Sequence, residues 1–313
     1  QNPEGTMAKL IGICRAKNWA DFIEYCVSHN AEILDELYIV DDQSSDNTAE
    51  IVENLANENL VTELLHINDR RARICNLQGE VMTQLMNYVA GKQLHEDWFL
   101  WPLDADEIIL GKRKYITQEL DLLGEDEYGL IRWKTFVPIE GGLNNGGRLR
   151  DKFKPKSNEH IESYKAVIHA RHIANSSIEM GNHRIISRGA ELHPRTIKIE
   201  LGHFPVRSAS QITSKSLIAT HKTQLKGSAA CPNENYHIKA IASRIRHLGY
   251  KITDIELTDI ALNYLGGTEN CSIGPEFDES DLLPEIKPIY PQRLISPIAA
   301  LDNLLQDIIA QNG

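Results

Sequence analysis

The sequence predicts an α/β fold that is built on a mostly parallel sheet. In the first hundred residues, short apolar runs alternate with segments whose apolar residues recur at helical spacing. This alternation is typical of parallel strands that are joined by helices. Two of the predicted strands also end in clusters of acidic residues. In open α/β sheets, ligands bind at the carboxyl ends of the strands, so we expect both acidic turns to open into one crevice.

The predicted strands and helices follow one another in a regular order. Strands are predicted at residues 9–14, 37–40, 61–67 and 98–103. Helices with one apolar face are predicted between them, at residues 19–29, 51–55 and 81–89. After residue 106 the pattern becomes mixed, and one further strand is predicted at residues 128–137.

Composition and charge argue against several classes of protein. The chain has 313 residues, 42% of them hydrophobic, which is enough for a large domain with a sizeable core. Its 44 acidic and 33 basic side chains give a net charge of −11, which opposes binding to nucleic acid. No apolar run approaches the roughly 20 residues that cross a bilayer, so no transmembrane segment is predicted. The five cysteines are scattered without a Cys-x-x-Cys pair, which favours a reducing, cytoplasmic location.

The chain is predicted to form one main domain, residues 7–250, and a C-terminal helical extension, residues 251–313, that packs on it. Four prolines between residues 284 and 297 mark an extended segment before a last helix. That helix carries an apolar stripe, formed by Ile298, Leu301, Leu305 and Ile308. The stripe needs either the main domain or a second copy in a homodimer to pack against, because the acidic polar face of the helix disfavours a membrane.

The strongest local signal is the sequence Leu103-Asp104-Ala105-Asp106-Glu107, directly after an apolar strand. Two carboxylates that are two residues apart at a strand end are able to hold a hard cation and, beside it, a hydroxyl or the water shell of the cation. Oxygen ligands select Mg²⁺ or Mn²⁺, and such an ion offsets the charge on a departing diphosphate. The alternative is an acidic turn that caps the next helix.

A second acidic turn, Val40 to Thr48, follows the second predicted strand. A carboxylate at this strand end, such as Asp41, would accept the imide N–H of a uracil ring or a ribose hydroxyl. The alternative is a solvated turn in which Ser45 or Asp46 caps the following helix. The two interpretations are compatible.

These two turns carry a resemblance to a known family. Val40 to Thr48 resembles the V-D-D-G-S-x-D-x-T turn of family 2 glycosyltransferases, and Asp104-Ala105-Asp106 resembles their Asp-x-Asp metal motif. The order of the motifs also agrees, and Cys14 to Asn18 resembles the first nucleotide-contacting loop of the family. The resemblance implies a GT-A type fold, which is Rossmann-like with a mostly parallel sheet, followed here by the C-terminal extension.

The resemblance is good to about residue 137 and fragmentary beyond it. Three later segments are similar to elements of a bacterial branch of these enzymes: Lys165 to Ile168, Gly181 to His183, and Leu201 to Ser208.

The resemblance implies roles for individual residues. Asp41 matches the residue that contacts the nucleobase, Asp104 the one on the ribose and metal side of the donor, and Asp106 the direct metal ligand. A further ligand in GT-A enzymes is often a histidine from the C-terminal half. His203, in a Gly-His-Phe-Pro segment, is the choice here, and His193 is its competitor. The alternative for His203 is a buried histidine that is hydrogen-bonded to the backbone.

Basic side chains are predicted to attract the diphosphate of the donor. Arg207 lies four residues after His203, close enough to contact the same phosphates, and Lys215 adds charge. Arg15 and Lys17, near the end of the first strand, have the same predicted role. Three arginines after the third strand are further candidates, namely Arg70, Arg71 and Arg73. For each of these side chains, a solvated surface charge is the alternative.

The catalytic base is left open by the sequence. An inverting transfer needs a group that takes the proton of the acceptor hydroxyl, opposite the leaving diphosphate. Glu179 is the first candidate and Glu191 the second. His183 would bind donor phosphate, orient the acceptor or act as the base, and a turn histidine is its alternative. The Glu-Asp pair that the family carries after the position of Asp106 is not found.

The resemblance implies a glycosyltransferase, inverting in outcome, that depends on Mn²⁺ or Mg²⁺. It would move a sugar from a nucleoside-diphosphate sugar, with UDP-sugars favoured, to a hydroxyl of a glycan or lipid-linked acceptor in bacterial surface glycan synthesis. The alternatives on the same fold are a nucleotidyltransferase and a non-catalytic carbohydrate-binding or scaffold protein. The first usually begins with a glycine-rich loop, whereas this chain has Gly12-Ile13-Cys14-Arg15. The second would release no nucleoside diphosphate.

Overall fold

A computed structural model of the chain describes residues 8–69, 77–94, 97–145, 147–157, 163–189, 191–225, 236–264, 272–274, 287–293 and 301. Strands and helices alternate in its first hundred residues, as the apolar pattern predicts. The strands there are β1 (Lys9–Ala16), β2 (Glu36–Asp41), β3 (Glu63–His66) and β4 (Trp98–Asp104). The helices that connect them are α1 (Ile23–Asn30), α2 (Thr48–Asn57) and α3 (Gln78–Ala90).

The first four strands form the parallel half of the sheet, in the order β3-β2-β1-β4. Because each connection carries a helix, all four strands point the same way and their carboxyl ends meet at one edge. This arrangement confirms the predicted α/β fold with a parallel core. The prediction also places these four strands to within two residues at each end.

The second half of the chain extends the sheet with mainly antiparallel strands. Its strands are β5 (Glu107–Leu110), β6 (Glu127–Pro138), β7 (Phe153–Ser157), β8 (Tyr164–His169), β9 (Ser176–Ile178), β10 (Ile185–Ser187), β11 (His193–His203) and β12 (Ser272–Ile273). Strand β8 lies between β4 and β6 and is antiparallel to both. Strand β11 runs parallel to β6 and antiparallel to β5, while β9 and β10 form a separate hairpin.

The core lies on both faces of the parallel strands, because successive side chains of a strand point to opposite faces. Leu10, Cys14 and Ala16 of β1 belong to the cluster on one face, which also contains residues of α1 and α2. Ile11 and Ile13 belong to the cluster on the other face, which contains the buried side of α3. These two clusters hold the carboxyl ends of the strands in place.

The remaining helices are α4 (Arg113–Leu120), α5 (Leu149–Lys152), α6 (Ala209–Leu225), α7 (Tyr236–His247) and α8 (Asp254–Leu262). Helix α8 follows the predicted domain boundary, and its buried Leu257 and Ile260 share a cluster with Val137 of β6 and Ile238 of α7. The division into residues 7–250 and 251–313 stays a prediction. The predicted last helix lies outside the described residues except for residue 301.

A short C-terminal segment, residues 287–293, is bound to α1 and to the start of α2. The Glu24 carboxylate accepts hydrogen bonds from the backbone N–H groups of Ile289 and Tyr290, at 2.7 and 3.2 Å. The side chain of Asn47 donates to the Pro291 carbonyl at 2.6 Å and accepts from Arg293 N–H at 2.9 Å. Within the described part of the chain, no helix has the length and apolarity to cross a bilayer.

Candidate active site

The structure brings the two acidic turns to one edge of the sheet. Asp41 is paired with Ala16 across β2 and β1, and Asp104 is paired with Arg15 across β4 and β1. Two steps of about 4.8 Å between neighbouring strands put the Cα atoms of Asp41 and Asp104 roughly 10 Å apart. The registers differ by one residue, so the two side chains leave the pleated sheet on opposite faces. The two acidic turns therefore lie at the same edge of the sheet, although the side chains of Asp41 and Asp104 point to opposite faces.

Asp41 sits in a turn that leaves one of its carboxylate oxygens without a partner. Its Oδ2 accepts the Ser44 backbone N–H at 3.1 Å and lies 3.9 Å from Nδ1 of His66. Its Oδ1 is buried and has no hydrogen-bond partner among the described residues. Buried polar atoms are almost always paired, so an unpaired carboxylate oxygen needs an explanation. A donor N–H from a ligand would supply the missing partner.

The loop after β1 carries Arg15 and Lys17, which both converge on Asp42. The Arg15 Nε donates to Asp42 Oδ2 at 3.1 Å, and an Nη of the same guanidinium contacts the same oxygen. The Lys17 ammonium lies 3.9 Å from that oxygen, and the Asp42 side chain is fully buried. Both basic residues thus lie beside the predicted nucleotide loop, as expected, but a carboxylate already engages their charge. Their contact with phosphate stays a prediction.

Asp104 is held by three hydrogen-bond donors from different parts of the chain. Gln78 Nε2 and Asn182 Nδ2 donate to its Oδ1 at 2.6 and 3.0 Å. Lys165 Nζ donates to its Oδ2 at 2.5 Å. An ionised carboxylate offers about four lone-pair positions, so one is left for a ligand hydroxyl. The Asp104 side chain keeps 25% of its surface exposed, which leaves room for that contact.

Glu107 lies beneath this arrangement and is fully buried. Its Oε2 accepts the Asp104 backbone N–H at 2.8 Å, and its Oε1 accepts the Trp133 indole N–H at 2.6 Å. Burial raises the pKa of Glu107 to about 8, although the nearby Lys165 ammonium acts to lower it. Glu107 therefore fixes the backbone of the acidic turn and the indole that faces it.

Asp106 and His203 are brought together by the pairing of β5 with β11. His203 is opposite Glu107 in that pairing, and the Phe204 N–H donates to the Asp106 carbonyl at 3.0 Å. The Nε2 of His203 lies 3.7 Å from Oδ2 of Asp106. The imidazole stacks on the Trp133 ring with 4.1 Å between centroids and 13° between planes. Strand pairing and stacking thus fix both side chains without a hydrogen bond between them.

The chemistry of this pair fits a divalent cation. Burial lowers the pKa of His203 well below its usual value, so the imidazole is neutral, as a metal ligand must be. Its Nδ1 is buried without a partner in the described chain. No cluster of three or more potential metal-binding side chains occurs among the described residues. A pair is nevertheless sufficient for Mg²⁺ or Mn²⁺, which take further ligands from phosphate oxygens and water.

Arg207, predicted to contact the diphosphate, has a different set of partners in the structure. Its side chain is buried, and its Nε and one Nη donate to the Asp21 carboxylate at 2.7 and 2.9 Å. The other Nη donates to the Phe204 carbonyl at 3.2 Å, and the guanidinium lies 4.2 Å from the Trp19 ring centroid. Because a buried ion pair already occupies this guanidinium, a donor phosphate would have to compete with Asp21 for it, and the phosphate contact of Arg207 stays a prediction.

Lys215 is better placed than Arg207 to contact a group that is bound next to the Asp106 carboxylate. Its ammonium lies 4.0 Å from Asp106 Oδ2 and 32% of its side chain is exposed. It also lies 5.4 Å from the ring centroids of both Trp19 and Tyr264. A cation between two aromatic rings is held by their negative faces. Lys215 thus supplies a positive charge next to the candidate metal pair.

Glu179 and His183 lie in the turn that joins β9 to β10, residues 179–184. The Glu179 N–H donates to the Arg184 carbonyl at 3.0 Å, and its carbonyl accepts from Asn182 N–H at 2.9 Å. His183 Nδ1 lies 2.8 Å from the Tyr164 carbonyl, and its ring meets the Trp133 ring edge-on at 5.5 Å. His183 is therefore close to the ring that stacks on His203. The Glu179 carboxylate is close enough to His183 to act on its pKa, which it tends to raise, although burial and the Lys165 ammonium lower that pKa.

The competing candidates are far from this edge. His193 begins β11, whereas His203 ends it, and ten residues of strand span about 33 Å. His193 is exposed and lies 3.9 Å from Asp126. Glu191, two residues earlier, is also exposed. The arginines predicted after the third strand, residues 70, 71 and 73, lie outside the described residues.

Several residues of the site were not found from the sequence. They are Gln78, Glu107, Trp133 and Asn182, and the role of Lys165 was also missed. One signal was available: Lys165 begins the apolar run Ala166-Val167-Ile168, and a charge within a buried strand needs a partner. Nothing in the sequence around Trp133 or Gln78 indicates that these side chains reach the acidic turn.

The comparison with protein families agrees with this site. Residues 13–166 match the family model described as Glycosyl transferase family 2. This segment, just under half of the chain, contains both acidic turns, the end of β1 and all of β2 to β4, so the similarity to the family lies in the parallel half of the sheet. No curated protein sequence matches the chain.

Solved structures with a similar fold were also found. S. aureus TarS is 14% identical, with a TM-score of 0.39 over 82% of this chain and 48% of its own. The mannosyltransferase PcManGT from Pyrobaculum calidifontis, in complex with GDP-Man and Mn²⁺, is 13% identical, with a TM-score of 0.37 over 78% of this chain and 71% of its own. The chain thus spans about half the length of TarS. With TM-scores this low, these similarities carry no inference about activity or ligands.

Proposed function

We propose that the chain is a metal-dependent glycosyltransferase that moves a sugar from a nucleoside-diphosphate sugar to a hydroxyl acceptor. The observation that carries the proposal is the shared strand edge. Asp41, with its unpartnered carboxylate oxygen, lies at the end of β2, and the turn that carries Asp106 follows β4, two strands away across β1; Asp106 in turn lies 3.7 Å from His203. The match of residues 13–166 to the family 2 model supports the class of reaction.

The nucleoside would be held by Asp41 and Asp104. The free oxygen of Asp41 is suited to accept a ring N–H, such as that of uracil, thymine or guanine, and we favour a UDP-sugar among these. Asp104 has one lone-pair position left after its three protein donors, which suits a single ribose hydroxyl. These contacts would give selectivity for the nucleoside that the net charge of the chain does not provide.

The diphosphate side of the donor would face Asp106, His203 and Lys215. Asp106 and His203 would hold Mn²⁺ or Mg²⁺, since a carboxylate and a neutral imidazole are both ligands for these ions. When bound, the ion would offset the negative charge that develops on the departing diphosphate. The Lys215 ammonium, 4.0 Å from Asp106, would bind a phosphate oxygen directly.

His183 is the better of the two candidates for the base. A carbonyl oxygen only accepts hydrogen bonds, so the contact with Tyr164 requires the proton on Nδ1 of His183. The lone pair of Nε2 is then available for the proton of an acceptor hydroxyl. Burial lowers the pKa of His183, which keeps the ring neutral at pH 7. Glu179 remains the second candidate, because it lies in the same turn.

The acceptor and the setting of the reaction are also part of the proposal. We infer a hydroxyl of a glycan or lipid-linked acceptor in bacterial surface glycan synthesis and an inverting outcome, both from the family resemblance. The scattered cysteines support a cytoplasmic location, and Cys14 and Cys26 are free and buried. We propose that residues 251–313 form an extension of the main domain, and that the apolar stripe of their last helix packs on it or forms a homodimer.

A donor screen tests the proposal. The chain is mixed with UDP-, GDP-, CDP- and dTDP-sugars, with and without Mn²⁺, and its melting temperature is measured. A true donor raises the melting temperature in proportion to the logarithm of its concentration over its dissociation constant. We expect a UDP-sugar with Mn²⁺ to give the largest shift, followed by slow release of UDP in the presence of water as acceptor.

Three results would contradict the proposal. Stabilisation by a nucleoside triphosphate together with release of pyrophosphate would indicate a nucleotidyltransferase. Sugar binding without metal and without release of nucleoside diphosphate would indicate a non-catalytic protein. A shift that persists in the Asp41→Ala variant, which has no acceptor oxygen, with the exposed Asp126→Ala variant as the matched control, would remove the nucleobase role of Asp41.

A further inference from the structure

Lys165 is a fully buried cation at the candidate site. Its ammonium donates to Asp104 Oδ2 and to the Gly181 carbonyl, both at 2.5 Å, and lies 3.3 Å from Oε1 of Glu107. The Trp133 ring centroid is 4.8 Å away. A buried ammonium is costly unless its donors are all used, and here three oxygens from two separate segments surround it, the acidic turn and the turn of residues 179–184.

The partners of Lys165 connect the acidic turn to the turn of residues 179–184. The next residue, Ala166, donates its backbone N–H to the Asn182 carbonyl at 2.9 Å. The Asn182 side chain in turn donates to Asp104 Oδ1 at 3.0 Å. Lys165 and Asn182 therefore both link the acidic turn to the turn of residues 179–184. Lys165 binds Oδ2 of Asp104, and Asn182 binds Oδ1 of the same carboxylate.

The turn that is held in this way has an unusual backbone. Gly181 has φ +83° and Asn182 has φ +60°. A Cβ atom on Gly181 would lie 2.6 Å from the His183 ring, so the imidazole packs directly over the glycine. Glycine and asparagine adopt such a backbone readily, and its position is fixed by its contacts, since the carbonyl that Lys165 binds belongs to Gly181 itself. The position of His183 thus depends on the contact between Gly181 and Lys165.

We propose that Lys165 is a positioning residue that fixes the turn of residues 179–184, and with it His183, relative to the Asp104 carboxylate. This inference deepens the proposed function and rests on it. Lys165 does not touch a substrate in this account. It acts through Gly181 and Asp104, by holding the base candidate and the donor-binding carboxylate at a fixed separation.

Two variants test the connection, so that the test does not depend on the folding of either one alone. Lys165→Met removes the ammonium, and Asn182→Gly removes the second link while it tolerates the positive φ of residue 182. Lys165→Met leaves two carboxylates without their cation and could fail to fold, whereas Asn182→Gly buries no unpaired charge. The exposed Lys198→Met variant is the matched control.

The first readout is amide hydrogen exchange in the turn of residues 179–184. We expect faster exchange in both test variants, by about tenfold, and no change in Lys198→Met. Unchanged exchange in Asn182→Gly and Lys165→Met would overturn the inference. This readout needs no turnover, so it decides the structural link even if the proposed function fails.

The second readout is a double-mutant cycle with His183→Ala, measured as kcat for release of UDP from the preferred donor. If Lys165 acts through His183, its replacement lowers kcat at least tenfold in the wild-type background and far less once His183 is absent. A merely structural role would give equal losses in both backgrounds, which would overturn the inference. If the wild-type chain releases no nucleoside diphosphate from any donor, the proposed function fails, and only hydrogen exchange bears on Lys165.

Discussion

The Nε2 atom of His203 lies 3.7 Å from a carboxylate oxygen of Asp106, although the two residues belong to different halves of the chain. The antiparallel pairing of β5 with β11 brings them together, and the Trp133 ring holds the imidazole in place from one side. Burial keeps the imidazole neutral. The pair therefore offers one oxygen and one nitrogen ligand at the edge where both acidic turns end.

Trp133 is expected to be more important for stability than its burial alone implies. Its indole N–H donates to the buried Glu107, whereas the indole N–H of the equally buried Trp101 has no partner among the described residues. Trp133→Phe removes the indole donor from a buried oxygen of Glu107 and leaves it only the Lys165 ammonium at 3.3 Å, at a cost of about 1 kcal/mol in unfolding free energy beyond the lost area. Trp101→Phe loses apolar area but no hydrogen bond. Urea unfolding of both variants measures the difference, and equal losses would show that the Trp133–Glu107 bond adds nothing.

Asp21 and Arg207 are expected to behave as a structural ion pair. Both side chains are buried, so Asp21→Asn leaves the Arg207 guanidinium without its counter-ion and is expected to lower the unfolding free energy by about 3 kcal/mol. The matched control is Asp151→Asn, because the Asp151 pair with Arg148 is exposed and is expected to contribute far less. Denaturant unfolding measures both. Losses of similar size would mean that Arg207 does not depend on Asp21 and is available for a phosphate.

His29 is expected to give the chain a measurable acid sensitivity. Its imidazole is buried against the Ile109 carbonyl at 2.9 Å, and burial lowers its pKa. The unfolded chain then binds a proton more readily than the folded one, so the stability that neutral His29 contributes is present above about pH 6.5 and is lost as the pH falls.

The test compares unfolding free energies at pH 7.5 and pH 5.5. His29→Gln keeps an N–H donor but does not titrate, so we expect this variant to lose less stability on acidification than the wild-type chain. His247→Gln, at an exposed histidine, is the control and is expected to follow the wild type. If His29→Gln lost as much unfolding free energy on acidification as the wild-type chain, His29 would not be the source of the acid sensitivity.

The parallel half of the fold could be predicted from the sequence because its signals are local. Strands β1, β2 and β4 each contain an apolar run and β3 a shorter one, and the helices between them repeat apolar residues at helical spacing, so each element is visible within about ten residues. The acidic turns could be placed at one edge for the same reason, since parallel strands that are joined by helices end on the same side.

The contacts that complete the site could not be predicted, because they join residues that are distant in the sequence. The sequence indicates only that Arg207 is a cation near His203. The packed structure shows that it forms an ion pair with Asp21. Lys165 lies in β8 and Asn182 in the turn between β9 and β10, and both donate hydrogen bonds to Asp104. Such partners depend on strand order and side-chain packing, which no single segment of the sequence specifies.

The most direct test of the account is the affinity for UDP, measured by calorimetry with and without Mn²⁺, in the wild-type chain and in Asp106→Asn. We predict that Mn²⁺ tightens UDP binding to the wild type at least tenfold, that Asp106→Asn loses this gain, and that the exposed Asp126→Asn keeps it. An Asp106→Asn chain that binds UDP as tightly with Mn²⁺ as the wild type would contradict the proposed metal site.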